Sequence, residues 1–381
     1  MNLNMNRTMQ ETMRLMGAGD LYAATSAIQR GLRGAQSVND TGETAGSGAR
    51  TIEGQYRVIS DGPGRDIGAP APAQCPADGI AIDGRDAEFR DHRFTCDAGS
   101  MHYKLFIPSG LGAGAAPLIV MLHGCTQSPD DFARGTRMNV LAQKHGYVVA
   151  YPAQAKSKNA SKCWNWFRSR DQQRGQGEPA ILAELTRHLV KAHGIDERRV
   201  YVAGLSAGGA MATVLAGTYP DVYAAIGVHS GLPFGAAHDL PSALNAMRQG
   251  VGKSGPGVSP ARMDHVPAIV FHGDRDTTVD ACNGAAVVEQ CMGTTGATGH
   301  GQADATRTTV EQGVAPGGRR YTRTVFRDAG GAVVAEQWLV HGASHAWFGG
   351  DASGSYTDPS GPDASEHMLR FFSACAHRAL N

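Results

Sequence analysis

The sequence carries no net charge. Its 35 Lys and Arg residues are balanced by 35 Asp and Glu residues, and charged side chains make up only 18% of the 381 residues. A balanced charge creates no long-range field that would select for nucleic acid, an anionic membrane or an acidic substrate. Because 41% of the residues are hydrophobic, the chain can bury a full core. The partners of the protein must therefore be identified from its site.

The sequence also lacks a long hydrophobic run. No segment approaches the roughly 20 apolar residues that a membrane-spanning helix requires. The segment that follows Met1 has no basic head, apolar run and small-residue cleavage site of the kind found in a secretory signal. We therefore expect no transmembrane segment and no visible export signal, which makes the cytoplasm one candidate location.

C-x-x-C pairs are absent, although the sequence contains seven cysteines. Their absence argues against zinc ribbons and thioredoxin-like redox motifs. Seven cysteines are more than a cytosolic enzyme of this size needs. Two interpretations remain, namely disulfides and buried free thiols that behave as small apolar side chains.

The composition divides the chain into three regions. Residues 1–33 are predicted to form an amphipathic helical extension, because methionines spaced by four, four and three residues share one helix face. Residues 34–96 are rich in Gly, Ser, Thr, Asp and Pro and are predicted to be a linker and lead-in. Residues 97–381 are predicted to form the main domain. The extension would dock on this domain, associate with a second copy or lie on a hydrophobic particle.

From residue 97 onward, segments of strand character alternate with segments of helical periodicity. Continuous apolar runs such as PLIVMLHG are typical of strands buried on both faces of a parallel sheet, and DFARGTRMNVLAQKHG has the period of a helix. The alternation predicts an α/β fold with a doubly wound, mostly parallel sheet and helices on both faces. In such folds the site lies at the carboxyl ends of the strands.

A G-x-S-x-G motif, Gly204 to Gly208, lies between a predicted strand and a predicted helix. A serine in so tight a turn exposes its oxygen above the sheet, and the glycines leave space that a β-carbon would fill. Because the strand-turn-helix context is what the motif requires, Ser206 is predicted to be a nucleophile.

A serine hydroxyl needs a base to accept its proton and a carboxylate to orient that base. The strand AIVFHG runs into a loop with Asp274 and Asp276, and the strand EQWLVHG leads to His341 and His345. We prefer Asp276 as the acid and His345 as the base, because His345 lies in a loop after a late strand. Asp274 is alternatively a turn or capping carboxylate, and His341 is a competitor that lies within the strand.

Acyl transfer also requires hydrogen-bond donors for the developing oxyanion. The amide of Ala207 directly follows the nucleophile and is one predicted donor. The amide of Cys125, in the loop after PLIVMLHG, is the other, because Gly124 allows the backbone to turn toward the site. His123 is expected to be a structural residue of this turn.

Five motifs follow one another between Tyr103 and Phe371. They are HGCTQSPDDFA, CWNWF followed by DQQRGQGEPA, GLSAGGAM, HGDRDTTV and GASHAWFGG. Together they resemble the poly(3-hydroxybutyrate) depolymerase family of esterases, within the α/β-hydrolase superfamily and close to feruloyl and acetylxylan esterases. The resemblance implies Ser206 as nucleophile, Asp276 as acid and His345 as base. It also implies a serine esterase that forms an acyl-enzyme and needs no metal or organic cofactor.

The same resemblance makes hydrolysis of a polyhydroxyalkanoate such as poly(3-hydroxybutyrate), or of its oligomers, the leading functional prediction. A feruloyl- or acetylxylan-type esterase is the alternative. A non-catalytic protein that binds polymer granules through the helices of residues 1–33 is a second alternative, against which the intact Ser, Asp and His set argues. Because members of this family are commonly exported, an extracellular or periplasmic location competes with the cytoplasm.

Aromatic residues and cysteines complete the set of predicted features. Trp164 and Trp166, with Trp347 just after His345, would form an apolar slot for an aliphatic or aromatic acyl chain. Ordinary packing under a long loop is the alternative. The resemblance implies a disulfide between Cys125 and Cys163 that ties the loop to the oxyanion turn. Two further pairings, Cys75–Cys96 and Cys282–Cys291, are open.

Overall fold

The computed structural model describes residues 86–111, 114–250, 263, 266–293 and 307–375. The predicted helical extension and Cys75 lie outside these residues, as does most of the predicted linker. Within the described ranges, no helix combines the length and the hydropathy needed to cross a membrane.

A ten-stranded mixed sheet runs through the described part of the chain. Its strands are β1 (Glu88–Cys96), β2 (Gly99–Ile107), β3 (Leu118–Leu122), β4 (Val148–Ala153), β5 (Val200–Leu205), β6 (Ala225–His229), β7 (Ala268–Gly273), β8 (Arg307–Val314), β9 (Arg320–Arg327) and β10 (Val333–Val340). The central strands β4, β3, β5, β6, β7 and β10 are parallel and adjacent in that order. Antiparallel strands extend both edges, β2 and β1 beyond β4, and β9 and β8 beyond β10.

Helices cover both faces of the sheet. They are α1 (Pro129–Thr136), α2 (Met138–His145), α3 (Gly177–His193), α4 (Ala207–Thr218), α5 (Leu240–Gln249), α6 (Cys282–Met292) and α7 (Ala364–Ala374). Side chains of α1, α2 and α7 join one buried apolar cluster, and those of α3 to α6 join another. Alternate residues of β3 belong to the two clusters, which explains why the central strands read as continuous apolar runs. The predicted α/β-hydrolase architecture is confirmed.

The predicted helix DFARGTRMNVLAQKHG is two helices, α1 and α2. The break lies at Arg137, which has a left-handed φ of 55°. The carbonyl of Gly135, which a continuous helix would use internally, accepts a hydrogen bond of 2.8 Å from the amide of Asp351. A contact with a residue far along the chain therefore overrides the local helical period.

The sheet begins before the predicted boundary at residue 97. Strand β1, which the sequence assigned to the lead-in, pairs with β2 along its whole length. Its charged side chains are mostly exposed, whereas Phe89 and Phe94 pack against the buried clusters. An edge strand tolerates this many charges, and the charges obscure the strand pattern in the sequence.

Candidate active site

Ser206 lies in the sharp turn between β5 and α4. Its φ of 57° and ψ of −119° fall outside the regions that residues with a side chain normally occupy. Its amide donates a 2.8 Å hydrogen bond to the carbonyl of His229, which fixes the turn against the end of β6. The turn places Ser206 at the carboxyl edge of the sheet, where the residue remains 9% exposed.

Two glycines make this turn sterically possible. A β-carbon on Gly204 would lie 2.4 Å from the carbonyl carbon of Gly208. A β-carbon on Gly208 would lie 2.0 Å from the carbonyl oxygen of Leu122 in β3. Both distances are far below van der Waals contact, so a residue with a β-carbon would not fit at either position. This is the steric reason for the two glycines of the G-x-S-x-G motif.

Asp276 and His345, called the inner pair below, meet beyond the carboxyl ends of β7 and β10. Nδ1 of His345 donates a 2.7 Å hydrogen bond to Oδ2 of Asp276. Oδ1 of Asp276 accepts from the amides of Thr278 and Val279, each at 2.9 Å. The bond to Asp276 holds the proton of His345 on Nδ1, so Nε2 is the nitrogen able to accept another proton.

Asp276 remains ionised although its side chain is fully buried. Burial alone raises the pKa of this carboxyl, but attraction to His345 and hydrogen bonds from His272 and His345 outweigh it. Together they hold the pKa of Asp276 well below its usual range. The site therefore contains a fixed negative charge that stabilises a positively charged His345.

Asp274 and His341, called the outer pair below, are bonded to each other and not to the inner pair. Nδ1 of His341 donates to Oδ2 of Asp274 at 2.9 Å, and the amide of Gly342 donates to Oδ1 at 2.7 Å. The second ring nitrogen of His341 is 2.9 Å from the hydroxyl of Thr322 on β9. The outer pair is therefore complete without Ser206.

Two buried histidines that the sequence analysis did not single out surround the inner pair. Nε2 of His272 donates to the carbonyl of Val279 at 2.9 Å and lies 3.5 Å from Oδ2 of Asp276. His229 is fully buried, and burial, followed by repulsion from His272 and His345, holds its pKa well below the usual value. His229 is therefore neutral. The sequence did contain a signal for these two residues, because each histidine lies at or next to the carboxyl end of a buried strand, β6 or β7.

His229 interacts with both the serine turn and the inner pair. Its carbonyl accepts from the Ser206 amide, and its ring is close enough to His345 for the charge of His345 to affect its pKa. Among the described residues, no hydrogen bond joins the hydroxyl of Ser206 to His345. Bonds of this kind often tighten only when substrate binds.

The two predicted oxyanion donors, the amides of Cys125 and Ala207, follow β3 and β5. Ala207 is the first residue of α4, where helical N–H groups have no acceptor within the helix. In the loop after β3, the amides of Gly124 and Thr126 are engaged with protein acceptors at 2.8 and 2.7 Å. Within the described part of the chain the Cys125 amide has no such acceptor, so it remains available for a ligand.

His123 holds the base of this loop. Its Nδ1 donates to the carbonyl of Gly124 at 2.7 Å, and its Nε2 accepts from the amide of Gln154 at 3.1 Å. Burial lowers the pKa of His123 to about 4, so the ring is neutral. Its contacts are those of a structural residue.

The predicted disulfide between Cys125 and Cys163 is confirmed. It joins the loop after β3 to the long segment after β4. No disulfide joins Cys282 to Cys291 in the described structure, because they lie near opposite ends of α6. Nine residues of helix separate their backbones by about 13 Å, which a disulfide does not span.

The three predicted substrate-binding tryptophans are core residues. Trp164 and Trp347 have no exposed surface and Trp166 is 3% exposed. The indole of Trp164 donates to the carbonyl of His123 at 3.0 Å, and that of Trp347 donates to the hydroxyl of Ser365 at 3.1 Å. The predicted acyl slot therefore does not fit these side chains, because protein atoms already cover them. Ordinary packing, the alternative, describes them.

Comparisons with known proteins give a family and two relatives. A family model described as "Esterase PHB depolymerase" matches residues 101–312. The chain is 34% identical over 260 residues to poly(3-hydroxyalkanoate) depolymerase C of Paucimonas lemoignei, which covers 66% of this chain and 60% of that protein. It is 34% identical over 140 residues to feruloyl esterase B of Thermothelomyces thermophilus, with 36% and 47% covered. The chain thus spans less than two thirds of the length of these relatives.

Among solved structures, the chain is similar to the acetyl xylan esterase from Aspergillus awamori. The TM-score is 0.56 at 20% sequence identity, and the match covers 76% of this chain and 100% of that chain. At this identity the likeness supports the α/β-hydrolase fold.

Proposed function

Because the chain belongs to the Esterase PHB depolymerase family, we propose that it is a serine esterase. Ser206 is the nucleophile, His345 the general base and Asp276 the acid that orients it. The observation that carries this proposal is the 2.7 Å hydrogen bond of the inner pair, beside the turn that holds Ser206. Burial of Asp276 strengthens its interaction with a charged His345, since screening by water is reduced.

The residues support a two-step mechanism. Nε2 of His345 takes the proton of Ser206 as Oγ attacks the ester carbonyl carbon, and the amides of Cys125 and Ala207 receive the oxyanion. The tetrahedral intermediate collapses, the alkoxide leaves with the proton from His345, and the acyl group stays on Oγ. A water molecule, deprotonated by His345, then attacks the acyl-enzyme, and the acid is released as Ser206 regains its proton.

The proposed substrate is a polyhydroxyalkanoate, such as poly(3-hydroxybutyrate), or its oligomers. The family match and the similarity to poly(3-hydroxyalkanoate) depolymerase C support this choice. A feruloyl- or acetylxylan-type esterase is the second candidate, which the similarity to feruloyl esterase B supports.

Parallel assays on two substrates separate these candidates. Release of soluble acid is measured from amorphous poly(3-hydroxybutyrate) and from methyl ferulate, with wild type, Ser206→Ala and the control Ser373→Ala. Ser373 lies on α7, where its hydroxyl donates to the carbonyl of Arg370 at 2.8 Å. We expect acid release from the polyester by wild type and the control, and its loss in Ser206→Ala.

Turnover of ferulate alone, equally dependent on Ser206, would assign the protein to the second candidate. An activity that survives Ser206→Ala, or no hydrolysis of any ester by wild type, would overturn the serine-esterase proposal. The second of these results would favour the non-catalytic granule-binding alternative.

Contact with polymer granules, or self-association, through residues 1–33 is a separate proposal that rests on the spacing of apolar residues in the sequence. Deletion of the residues before Tyr56 tests it. Loss of granule binding or of self-association, with ester turnover retained, would support a role in attachment. Unchanged binding and oligomeric state would contradict it.

A further inference from the structure

Glu178 is a buried carboxylate in the first turn of α3 that the proposed mechanism does not use. The residue is 6% exposed. One carboxylate oxygen accepts a 2.8 Å hydrogen bond from the amide of Asn165. The other accepts from the side-chain amides of Asn165 and Gln154. Three N–H donors therefore converge on Glu178, and an ionised carboxylate, which only accepts, satisfies all of them.

The side-chain amide of Asn165 has no freedom to turn away from Glu178. Oδ1 of Asn159 accepts from the amides of Ser161 and Cys163 at 3.0 and 3.3 Å. The Nδ2 group of Asn159 must then face Oδ1 of Asn165, at 3.2 Å. Asn165 is thus left with its own Nδ2 group directed at Glu178.

Gln154 is fixed in the same way on the other side. Its Oε1 accepts from the amide of Ala155 at 3.0 Å. Its Nε2 group donates to the carbonyl of Cys163 at 3.0 Å and to Glu178. Asn159 therefore holds the amide of Cys163, and Gln154 holds its carbonyl. Hydrogen bonds to Glu178 fix the orientation of Gln154 directly and that of Asn159 through Asn165.

The segment around Cys163 holds the loop that carries the proposed oxyanion donor. Cys163 is bonded through its sulfur to Cys125. The amide of Thr126 donates to the carbonyl of Ser161 at 2.7 Å. The indole of Trp164 donates to the carbonyl of His123 at 3.0 Å. A shift of Cys163 would therefore move the backbone on both sides of the Cys125 amide.

We propose that Glu178 is a positioning residue for ester hydrolysis, because its carboxylate anchors the Cys163 segment and thereby orients the amide of Cys125 toward the oxyanion. The role rests on the proposed function, since it concerns the same reaction. Glu178 itself does not touch the reacting atoms. Small displacements of such donors have large kinetic effects, since oxyanion stabilisation depends on their distance from the developing charge.

The ionisation of Glu178 gives this role a pH dependence. Burial, together with repulsion from the carboxylate of Asp171, raises the pKa of Glu178 to about 7. Asp171 lies beside it, since its Oδ1 accepts from the Glu178 amide at 2.7 Å. The other charged groups act on the neighbours of Glu178. Arg168, Arg170 and Lys158 favour the ionised form of Asp171, and Lys162 and Asp131 act on the neutral His123. Below about pH 7 Glu178 gains a proton. Its O–H group would then face one of the three N–H donors, and that hydrogen bond would be lost.

Activity and stability should respond to this ionisation in opposite directions. A carboxyl whose pKa is raised on folding stabilises the protein most below its ordinary pKa of 4.5 and loses that contribution as pH rises to about 7. Oxyanion stabilisation instead increases over the upper part of this range as Glu178 ionises. A purely structural role would not produce this opposition.

The variant Glu178→Gln tests the proposal, with Glu184→Gln on the same helix as the matched control. Glu184 is exposed, and its bond is to the guanidinium of Arg187. At a pH where Glu178 is ionised, kcat and KM are measured on a p-nitrophenyl ester, with the inhibition constant of an alkylboronic acid that mimics the tetrahedral intermediate. We expect kcat to fall about 10- to 100-fold, KM to stay close to wild type, and the inhibition constant to rise by a similar factor.

An unchanged kcat in Glu178→Gln, or a lower kcat with unchanged boronate inhibition, would overturn the positioning role alone. Absence of Ser206-dependent hydrolysis in wild type would overturn the proposed function and this role with it. If Glu178→Gln does not fold, Asp171→Asn decides the question, because it removes the repulsion but keeps an oxygen acceptor for the Glu178 amide. We expect it to move the acid limb of the kcat profile to lower pH, and an unshifted limb would contradict the role.

Discussion

The inner and outer pairs place the same two residue types on the same two loops, yet their surroundings differ. The inner pair, Asp276 and His345, is 0% and 12% exposed, whereas the side chains of the outer pair, Asp274 and His341, are 34% and 35% exposed. The hydrogen bonds are similar, 2.7 and 2.9 Å. The pairs differ at Nε2 of the histidine, the ring nitrogen that does not face the aspartate. In the outer pair this nitrogen is hydrogen-bonded to the hydroxyl of Thr322.

The comparison shows that an Asp–His hydrogen bond does not by itself distinguish the two pairs. In the outer pair, water screens the charges, so the bond contributes little energy. In the inner pair, low exposure strengthens the attraction, and two backbone amides hold the carboxylate in place. The inner pair also borders His229, whose carbonyl anchors Ser206. Location relative to the serine turn and burial together distinguish the two pairs.

The largest expected effect comes from neutralising the two aspartates in turn. Asp276→Asn should reduce kcat about 10⁴-fold, because the asparagine favours the wrong tautomer of His345 and no longer stabilises its charged form. Asp274→Asn should leave kcat close to wild type. Steady-state kinetics on a p-nitrophenyl ester, after circular dichroism has shown that both variants are folded, measure the difference. Equal losses would remove the distinction between the pairs.

A smaller effect is expected on stability. The pKa of Asp276 is lowered on folding from its ordinary value of 3.8, so its ionised form stabilises the protein above about pH 4 and this contribution is lost as pH falls further. Near neutral pH, Asp276→Asn should lower the free energy of unfolding by about 1.5 to 3 kcal/mol. Asp274→Asn should lower it by less than about 1 kcal/mol.

Urea unfolding of both variants and wild type, at neutral pH and below pH 4, measures these differences. The deficit of Asp276→Asn should shrink at the lower pH. A deficit that grows on acidification would mean that Asp276 is not held in its ionised form by the fold.

The smallest expected effect is that of Thr322→Val, which removes the partner of the second ring nitrogen of His341. The free energy of unfolding should fall by about 0.5 to 1.5 kcal/mol, the typical value of one hydrogen bond. Because the outer pair is complete without Ser206, kcat should not change. Urea unfolding and ester kinetics on this variant test both statements, and a tenfold loss of kcat would link the outer pair to the reaction.

Local signals in the sequence predict the central strands and the turn at Ser206. Apolar runs mark the buried strands, and a glycine-rich turn between strand and helix needs no distant contact to be recognised. The same signals place both carboxylates and His345 in the correct loops. His341, which was predicted to lie within the strand, instead directly follows β10. These signals do not show which aspartate bonds which histidine.

Long-range register decides the pairing. The amide of Asp274 donates to the carbonyl of Val340 at 3.1 Å, and that of Arg275 donates to Ala343 at 3.0 Å. These bonds align the two loops residue by residue, so the first aspartate meets the first histidine and the second meets the second. Such contacts join residues far apart in sequence, and no local pattern encodes them.

Burial of individual side chains is equally hard to predict. Trp164, Trp347 and Glu178 all lie in segments that read as loop or helix start, where aromatic and acidic residues are normally partly exposed. The structure buries all three. The segment after β4 packs against the loop after β3 and covers Trp164 and Glu178. Trp347 instead packs against Phe132 of α1 and bonds to Ser365 of α7. The exposed, charged strand β1 shows the reverse case, since its partner β2 and not its own pattern makes it a strand.

Labelling with a fluorophosphonate tests the central claim most directly, because this reagent forms a covalent bond with an activated serine. Mass spectrometry of the intact protein and of its peptides should show a single adduct, on Ser206, in wild type and in Asp274→Asn, and none in Ser206→Ala. An adduct at Thr322, the hydroxyl partner of His341 in the outer pair, or no adduct in wild type, would contradict the assignment of Ser206 and the inner pair as the catalytic set.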